Sequence, residues 1–139
     1  VAAHAGATPR PLAKVASGGE LSRIGLAISV LAAQANPVPT LIFDEADAGV
    51  GGAVADAIGA LMRRLGGDRQ VLCVTHLPQV AAKAHRHYRV SKEAANGITV
   101  SRIEALDRPG RVEEIARMLG GAEITATTRK HAREMLAQA

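Results

Sequence analysis

At 139 residues and 14.4 kDa the chain has enough material for one hydrophobic core, and 47% hydrophobic content excludes a disordered, charge-dominated segment. With Phe43 and Tyr88 as the sole aromatics, the core falls to Leu, Ile, Val and Ala, and base stacking is a poor main mode of action. A net charge of +4 and a pI near 9.8 suit a phosphate-bearing partner or simple solubility, while a single cysteine, Cys73, excludes an internal disulfide and fits a reducing cytoplasm.

Residues 1–16 are small, polar and weakly patterned, and read as a loop or remnant strand. Lys-Val-Ala-Ser-Gly-Gly-Glu-Leu-Ser-Arg then leads into a helix over about 20–34, where Leu21, Ile24, Ile28 and Leu31 fall at helical spacing and other apolar residues fill the remaining faces. That pattern predicts a helix buried almost all round. Asn36, Pro37 and Pro39 end it before a short apolar run that closes on Asp44 and Glu45, which reads as a strand buried on both faces of a parallel sheet.

Residues 48–52 are glycine-rich and predict a turn. A helix over about 53–65 follows, with Val54, Ile58, Leu61, Met62 and Leu65 on one stripe and Gly66-Gly67 as its stop. A second buried strand, 70–76, ends at Thr75 and His76, and Pro78 opens a short helix to about residue 84. Two β-rich stretches, 87–91 and 98–106, flank an Asn96-Gly97 turn signal and predict neighbouring strands at the sheet edge. Val112, Ile115, Ala116 and Leu119 mark another helix closed by Gly120-Gly121, and 124–137 reads as a terminal helix with Ala132, Met135 and Leu136 inward.

The chemistry concentrates at three places. Ser17 suits an N-cap, and Gly18 and Gly19 allow close backbone approach, so this helix start can hold a phosphate. Asp44 and Glu45 sit at one strand end and His76 at another. Ligands in open α/β sheets bind beyond the carboxyl ends of strands, so all three are expected to share one crevice. His85 and His87 lack nearby further ligands, and no metal site is assigned to them. Two basic strips, Arg86-Arg89-Lys92 and Arg129-Lys130-Arg133, read either as solvated faces or as phosphate contacts.

Together these motifs resemble the SMC-like members of the ABC-type ATPases, over nearly all the chain from about Pro11 onward. Ser17-Gly18-Gly19-Glu20 is similar to the signature motif, Leu41-Ile42-Phe43-Asp44-Glu45 to the Walker B strand, the stretch from Asp47 to Gly52 to the D-loop, and His76 to the switch histidine. The wording Phe-Asp-Glu-Ala-Asp-Ala-Gly-Val-Gly-Gly and Val-Thr-His-Leu-Pro-Gln-Val resembles a bacterial branch that acts in DNA double-strand-break repair and recombination. The resemblance implies an α/β fold, the C-terminal lobe of a P-loop ABC-type head with a largely parallel sheet flanked by helices, spanning residues 17–139.

It further implies ATP and magnesium as cofactors. Asp44 would be the metal-side carboxylate, and Glu45 the catalytic base assisted by His76. Ser17, Gly18, Gly19, Glu20 and Asp47 would contact nucleotide across a dimer of two heads. No stretch reads Gly-x-x-x-x-Gly-Lys-Ser/Thr, and no heptad series is sustained. The Walker A half of the head is therefore an expected partner, with DNA reached through the parent protein, and the isolated chain is expected to be an incomplete ATPase. Two alternatives stand beside this reading: a non-catalytic interaction lobe, and an ATP-binding subunit of a transporter. No signal peptide or membrane-crossing run is read, which fits a cytoplasmic protein, and the resemblance implies one associated with the nucleoid.

Overall fold

The computed structural model describes residues 38–44, 47, 49–95, 98–121 and 123–139, together with the isolated positions 6, 8, 11, 25, 28 and 32. Strand β1 (Thr40–Asp44) and strand β2 (Gln70–Val74) pair in parallel, with Thr40 opposite Gln70 and Asp44 opposite Val74. Their crossover contains helix α1 (Gly52–Leu65). Helix α2 (Pro78–Lys83) follows β2, and then come strands β3 (His87–Ala95) and β4 (Ile98–Leu106), helix α3 (Arg108–Gly120) and helix α4 (Ala126–Ala137).

Helix α1 forms because its apolar residues recur at three- and four-residue steps, so Ala55, Ile58, Gly59, Met62 and Leu65 lie along one buried stripe. Arg63 and Arg64 in the last turn favour the carbonyl end of the helix. Its first residue, Gly52, has φ +55, a left-handed conformation that costs glycine little and a side-chain-bearing residue more. The stripe packs on Phe43 of β1 and Val80 of α2, with Leu41, Val71 and Cys73 at its margin. Lys83 of α2 is tied back to α1 by an ion pair with Asp56 at 3.3 Å, and Arg63 Nη1 donates to the Lys83 carbonyl at 2.8 Å.

A second core lies on the other side of α2. Ala81 and Ala82 meet Ile115 and Ala116 of α3 and Ala132 of α4, each of them less than 5% exposed. Helix α2 is thus shared by the two cores although it is only 6 residues long. Asp107 caps α3 by accepting from the Gly110 N–H at 2.8 Å, and Thr125 and Thr128 form a reciprocal capping box at the start of α4. Within α3 the buried Glu114 is held by two bonds from Arg117, at 2.6 and 3.0 Å, and these hold its carboxyl below the usual range.

Three expectations need correction. Strands β1 and β2 are covered on one face only: Leu41, Phe43, Val71 and Cys73 turn toward α1, whereas Ile42, Leu72 and Val74 are 70%, 44% and 63% exposed. A continuous apolar run looks the same whether one or both faces are covered in the chain at hand. The first helix is described only at Gly25, Ile28 and Ala32, which are helical, but Ile28 is 61% exposed rather than buried. Finally, β3 is longer than the predicted stretch 87–91 while β4 matches 98–106, and the two pair with each other as a separate antiparallel hairpin, not with β1 or β2 among the described residues. The Asn96-Gly97 turn lies outside the described residues. Cross-strand pairs Arg89–Glu104 (2.7 Å) and Glu93–Arg102 (3.1 Å) run along one hairpin face, and being exposed they contribute about 0–1 kcal/mol each.

Candidate functional site

The parallel register of β1 and β2 brings their carboxyl ends side by side. Asp44 is the last residue of β1; it is exposed and has no protein partner among the described residues. Thr75 and His76 follow directly on β2. The two ends are joined by Asp47, whose side chain is 2% exposed. Its Oδ2 accepts a hydrogen bond from Thr75 Oγ1, and its Oδ1 lies 3.7 Å from His76 Nδ1, while the His76 side chain is 73% exposed.

Thr75 also accepts from the Leu77 N–H at 3.0 Å, so one hydroxyl links the turn after β1 to the start of α2. Asp47 in turn accepts from the Val50 N–H at 3.2 Å through its own carbonyl. A buried carboxylate is costly unless its oxygens are satisfied, and here one bond fixes it while the second oxygen faces an imidazole held out to solvent. The arrangement places a buried carboxylate beside the exposed His76 ring, at a distance beyond a hydrogen bond. The sequence reading assigns Thr75 no role; the only signal for one is its place between an apolar strand and a histidine.

The acidic rim is felt by its neighbours. Cys73 lies on the covered side of β2, and its thiol is pushed up to about 11, first by burial and then by the charges of Asp47 and Asp44. The thiol is therefore protonated at neutral pH and structural, as its position within the strand predicts.

Asp44, Asp47 and His76 thus gather on one rim. Ser17, Gly18, Gly19, Glu20 and Glu45 lie outside the described residues. Asp44 fits a magnesium ion by the chemistry of its donor set: a hard, exposed carboxylate with no ion-pair partner among the described residues, of the kind that holds this ion together with water and phosphate oxygens. No group of three or more metal-binding side chains occurs among the described residues.

The fold defines a class. The chain is similar to a solved structure described as structural biochemistry of ATP-driven dimerization and DNA-stimulated activation of SMC ATPases, with TM-score 0.65, 22% identity, and coverage of 79% of this chain and 66% of that one. It also matches a Pyrococcus yayanosii Smc head domain with coiled coil and joint, with TM-score 0.63 and 25% identity, over 73% of this chain and 19% of that chain. The chain has the α/β fold of an SMC-type ATPase head and matches part of it.

The particular relative is the bacterial DNA repair protein RecN, and over nearly its whole length this chain is RecN-like. It is 57% identical to RecN of Xylella fastidiosa strain Temecula1 over 98% of its residues, 52% identical to that of Streptomyces coelicolor over 98%, and 45% identical to that of Bacillus subtilis over 100%. It spans about a quarter, 24%, of the length of each of these relatives. No family model matches the chain. Among the described residues no helix is long and apolar enough to cross a membrane.

Proposed function

We propose that this chain is the C-terminal lobe of an ATP-hydrolysing head, residues 17–139 with residues 1–16 leading in, in a RecN-like cytoplasmic protein of DNA double-strand-break repair. The observation that carries the reading is the rim itself: an unengaged Asp44 beside a buried Asp47 that bridges Thr75 and His76. Similarity to RecN over nearly the full chain supports the same assignment.

In this reading Asp44 holds magnesium, which when bound supplies charge neutralisation for the phosphates. Glu45, next in the chain, orients and deprotonates the attacking water. His76 meets the terminal phosphate, and Asp47, through Thr75 on one side and the imidazole on the other, sets where the ring points. Ser17, Gly18, Gly19 and Glu20 contact the nucleotide of a second head. Phosphoryl transfer depends mainly on such positioning, so small displacements of His76 should reduce turnover without abolishing nucleotide binding.

A second reading, an interaction lobe without activity of its own, is favoured by one observation. Ile42, Leu72 and Val74 leave a face of the β1–β2 pair bare, and apolar patches of this kind mark surfaces that pack on something. The two readings agree if the cover is the Walker A half of the same head. Glu45→Gln in the full-length protein should bind ATP and hydrolyse it at least about a hundredfold more slowly; unchanged turnover would remove Glu45 from the catalytic role. Tight ATP binding by the 139-residue chain alone would contradict the incomplete-site reading.

A further inference from the structure

At the corner where α2, β3 and α3 meet there is a cavity of about 430 Å³ that shares no residue with the rim described above. Its polar wall carries three arginines, Arg86, Arg108 and Arg111, with His85 and His87 beside them. Among the described residues no carboxylate pairs with Arg86, Arg108 or Arg111. The carboxylates nearest in the chain are engaged elsewhere, Asp107 in the α3 cap and Glu114 in its two bonds from Arg117.

Arg111 is the fixed point of this wall. Its Nη2 donates to the carbonyls of Ala82 at 3.2 Å and Ala84 at 2.7 Å, which pins the guanidinium across the end of α2. Its Nε is nevertheless buried with no hydrogen-bond partner, and so is His87 Nδ1 beside it. A buried guanidinium N–H left unmet is costly, and with three arginines on the cavity wall it calls for an acceptor-rich ligand. Burial, and then the neighbouring Arg63, hold the Arg111 guanidinium below its ordinary value. His87, lowered by burial and by Arg111, is neutral at pH 7, so the fixed charge comes from the arginines.

The remaining wall is apolar and includes Tyr88, the chain's only tyrosine, 52% exposed. A phosphate against arginines with a flat π surface beside it suits a nucleotide unit whose base is not held in a duplex. We propose that this cavity binds a backbone phosphate of single-stranded nucleic acid, with Arg86, Arg108 and Arg111 as its cationic contacts and Tyr88 flanking the adjoining base. The site needs neither ATP nor a second head, so its failure would leave the ATPase assignment standing.

The test uses the 139-residue chain and a fluorescein-labelled single-stranded oligonucleotide of about twenty nucleotides, followed by anisotropy across a salt series. Arg86→Gln with Arg108→Gln should weaken binding about tenfold and reduce the slope of log affinity against log salt by about 1.4. Lys130→Gln with Arg133→Gln, which makes the same change in net charge on α4, should leave affinity within about twofold of wild type. Tyr88→Leu should weaken the oligonucleotide but not inorganic phosphate, whose own binding is read by phosphorus NMR. Circular dichroism and urea midpoints confirm that each variant is folded.

Equal affinity of the Arg86/Arg108 variant and wild type would overturn the site, as would an equal loss in the α4 variant. Binding of inorganic phosphate that depends on Arg86 and Arg108, without binding of the oligonucleotide, would overturn the nucleic-acid source and leave a small-phosphate site. Binding of neither probe would overturn both.

Discussion

Replacing Thr75 by valine removes a hydroxyl while nearly keeping shape, which isolates the hydrogen bond that holds Asp47. The acceptor is a carboxylate that is almost wholly buried, and His76 Nδ1, beside its other oxygen, is 3.7 Å away, too far for a good bond. Water cannot readily replace the lost donor at a carboxylate that is 1% exposed. Hydrogen bonds to charged groups contribute about 1.5–3 kcal/mol, and the added valine methyl recovers little at a half-buried position. A loss of about 2 kcal/mol is expected, which at an m-value of about 2 kcal/mol/M lowers the urea midpoint of the chain by about 1 M. Thr75→Ser keeps the hydroxyl and should lose less than about 1 kcal/mol. If the valine and serine variants unfold within about 0.5 kcal/mol of each other, the Asp47–Thr75 bond does not hold this rim together, and the positioning of His76 needs another explanation.

Other perturbations test other parts of the fold. A methyl at Gly59 would sit 2.9 Å from Lys83 Cγ and 3.1 Å from both the Gln79 oxygen and Val80 Cα. Gly59→Ala gains about 1 kcal/mol of helix propensity, but the overpacking costs about 1–3. A net loss of about 1 kcal/mol in urea unfolding is therefore expected, and a gain would show that α2 can slide away from α1. Arg117→Ala strands the buried Glu114 carboxylate and should cost about 1–3 kcal/mol at pH 7. Because Glu114 titrates below its ordinary 4.5 when folded, its share of stability is present above that value and fades as pH falls below it. Unfolding curves of wild type and Arg117→Ala should therefore converge in acid. Cys73 should react slowly with thiol reagents at pH 8. Since its folded value is raised from 9.0 to about 11, its contribution to stability is complete below 9 and is lost as pH climbs toward 11; Cys73→Ala should remove that alkaline loss.

Local patterning made much of this fold legible. The predicted helix over 53–65 and the strand starting at residue 70 agree closely with α1 and β2, because periodicity, glycine stops and a proline at a helix start all act within a few residues, although Val54 of the predicted stripe is exposed and Ala55 and Gly59 are buried. The strand ends likewise located Asp44 and His76. What the sequence could not convey was which side of an apolar strand is covered, since Ile42 and Phe43 differ by 70% against 8% exposure while being chemically alike. The inward turn of Asp47 was hidden for a similar reason. A charged residue in a glycine-rich turn looks solvated until a hydroxyl 28 positions away accepts its company. The basic cavity was legible only in part, as the strip containing Arg86, because Arg108 and Arg111 reach it from a separate helix.

The one-sided cover of β1 and β2 has an evolutionary consequence. If this face packs on the Walker A half, as proposed, Ile42, Leu72 and Val74 are not free to drift as ordinary surface positions would be, because an exchange for a polar or bulkier side chain is judged by its fit to that half. Substitutions on this side should therefore arise in step with compensating changes in the opposing surface, so that inheritance of the two is coupled even where they are encoded far apart.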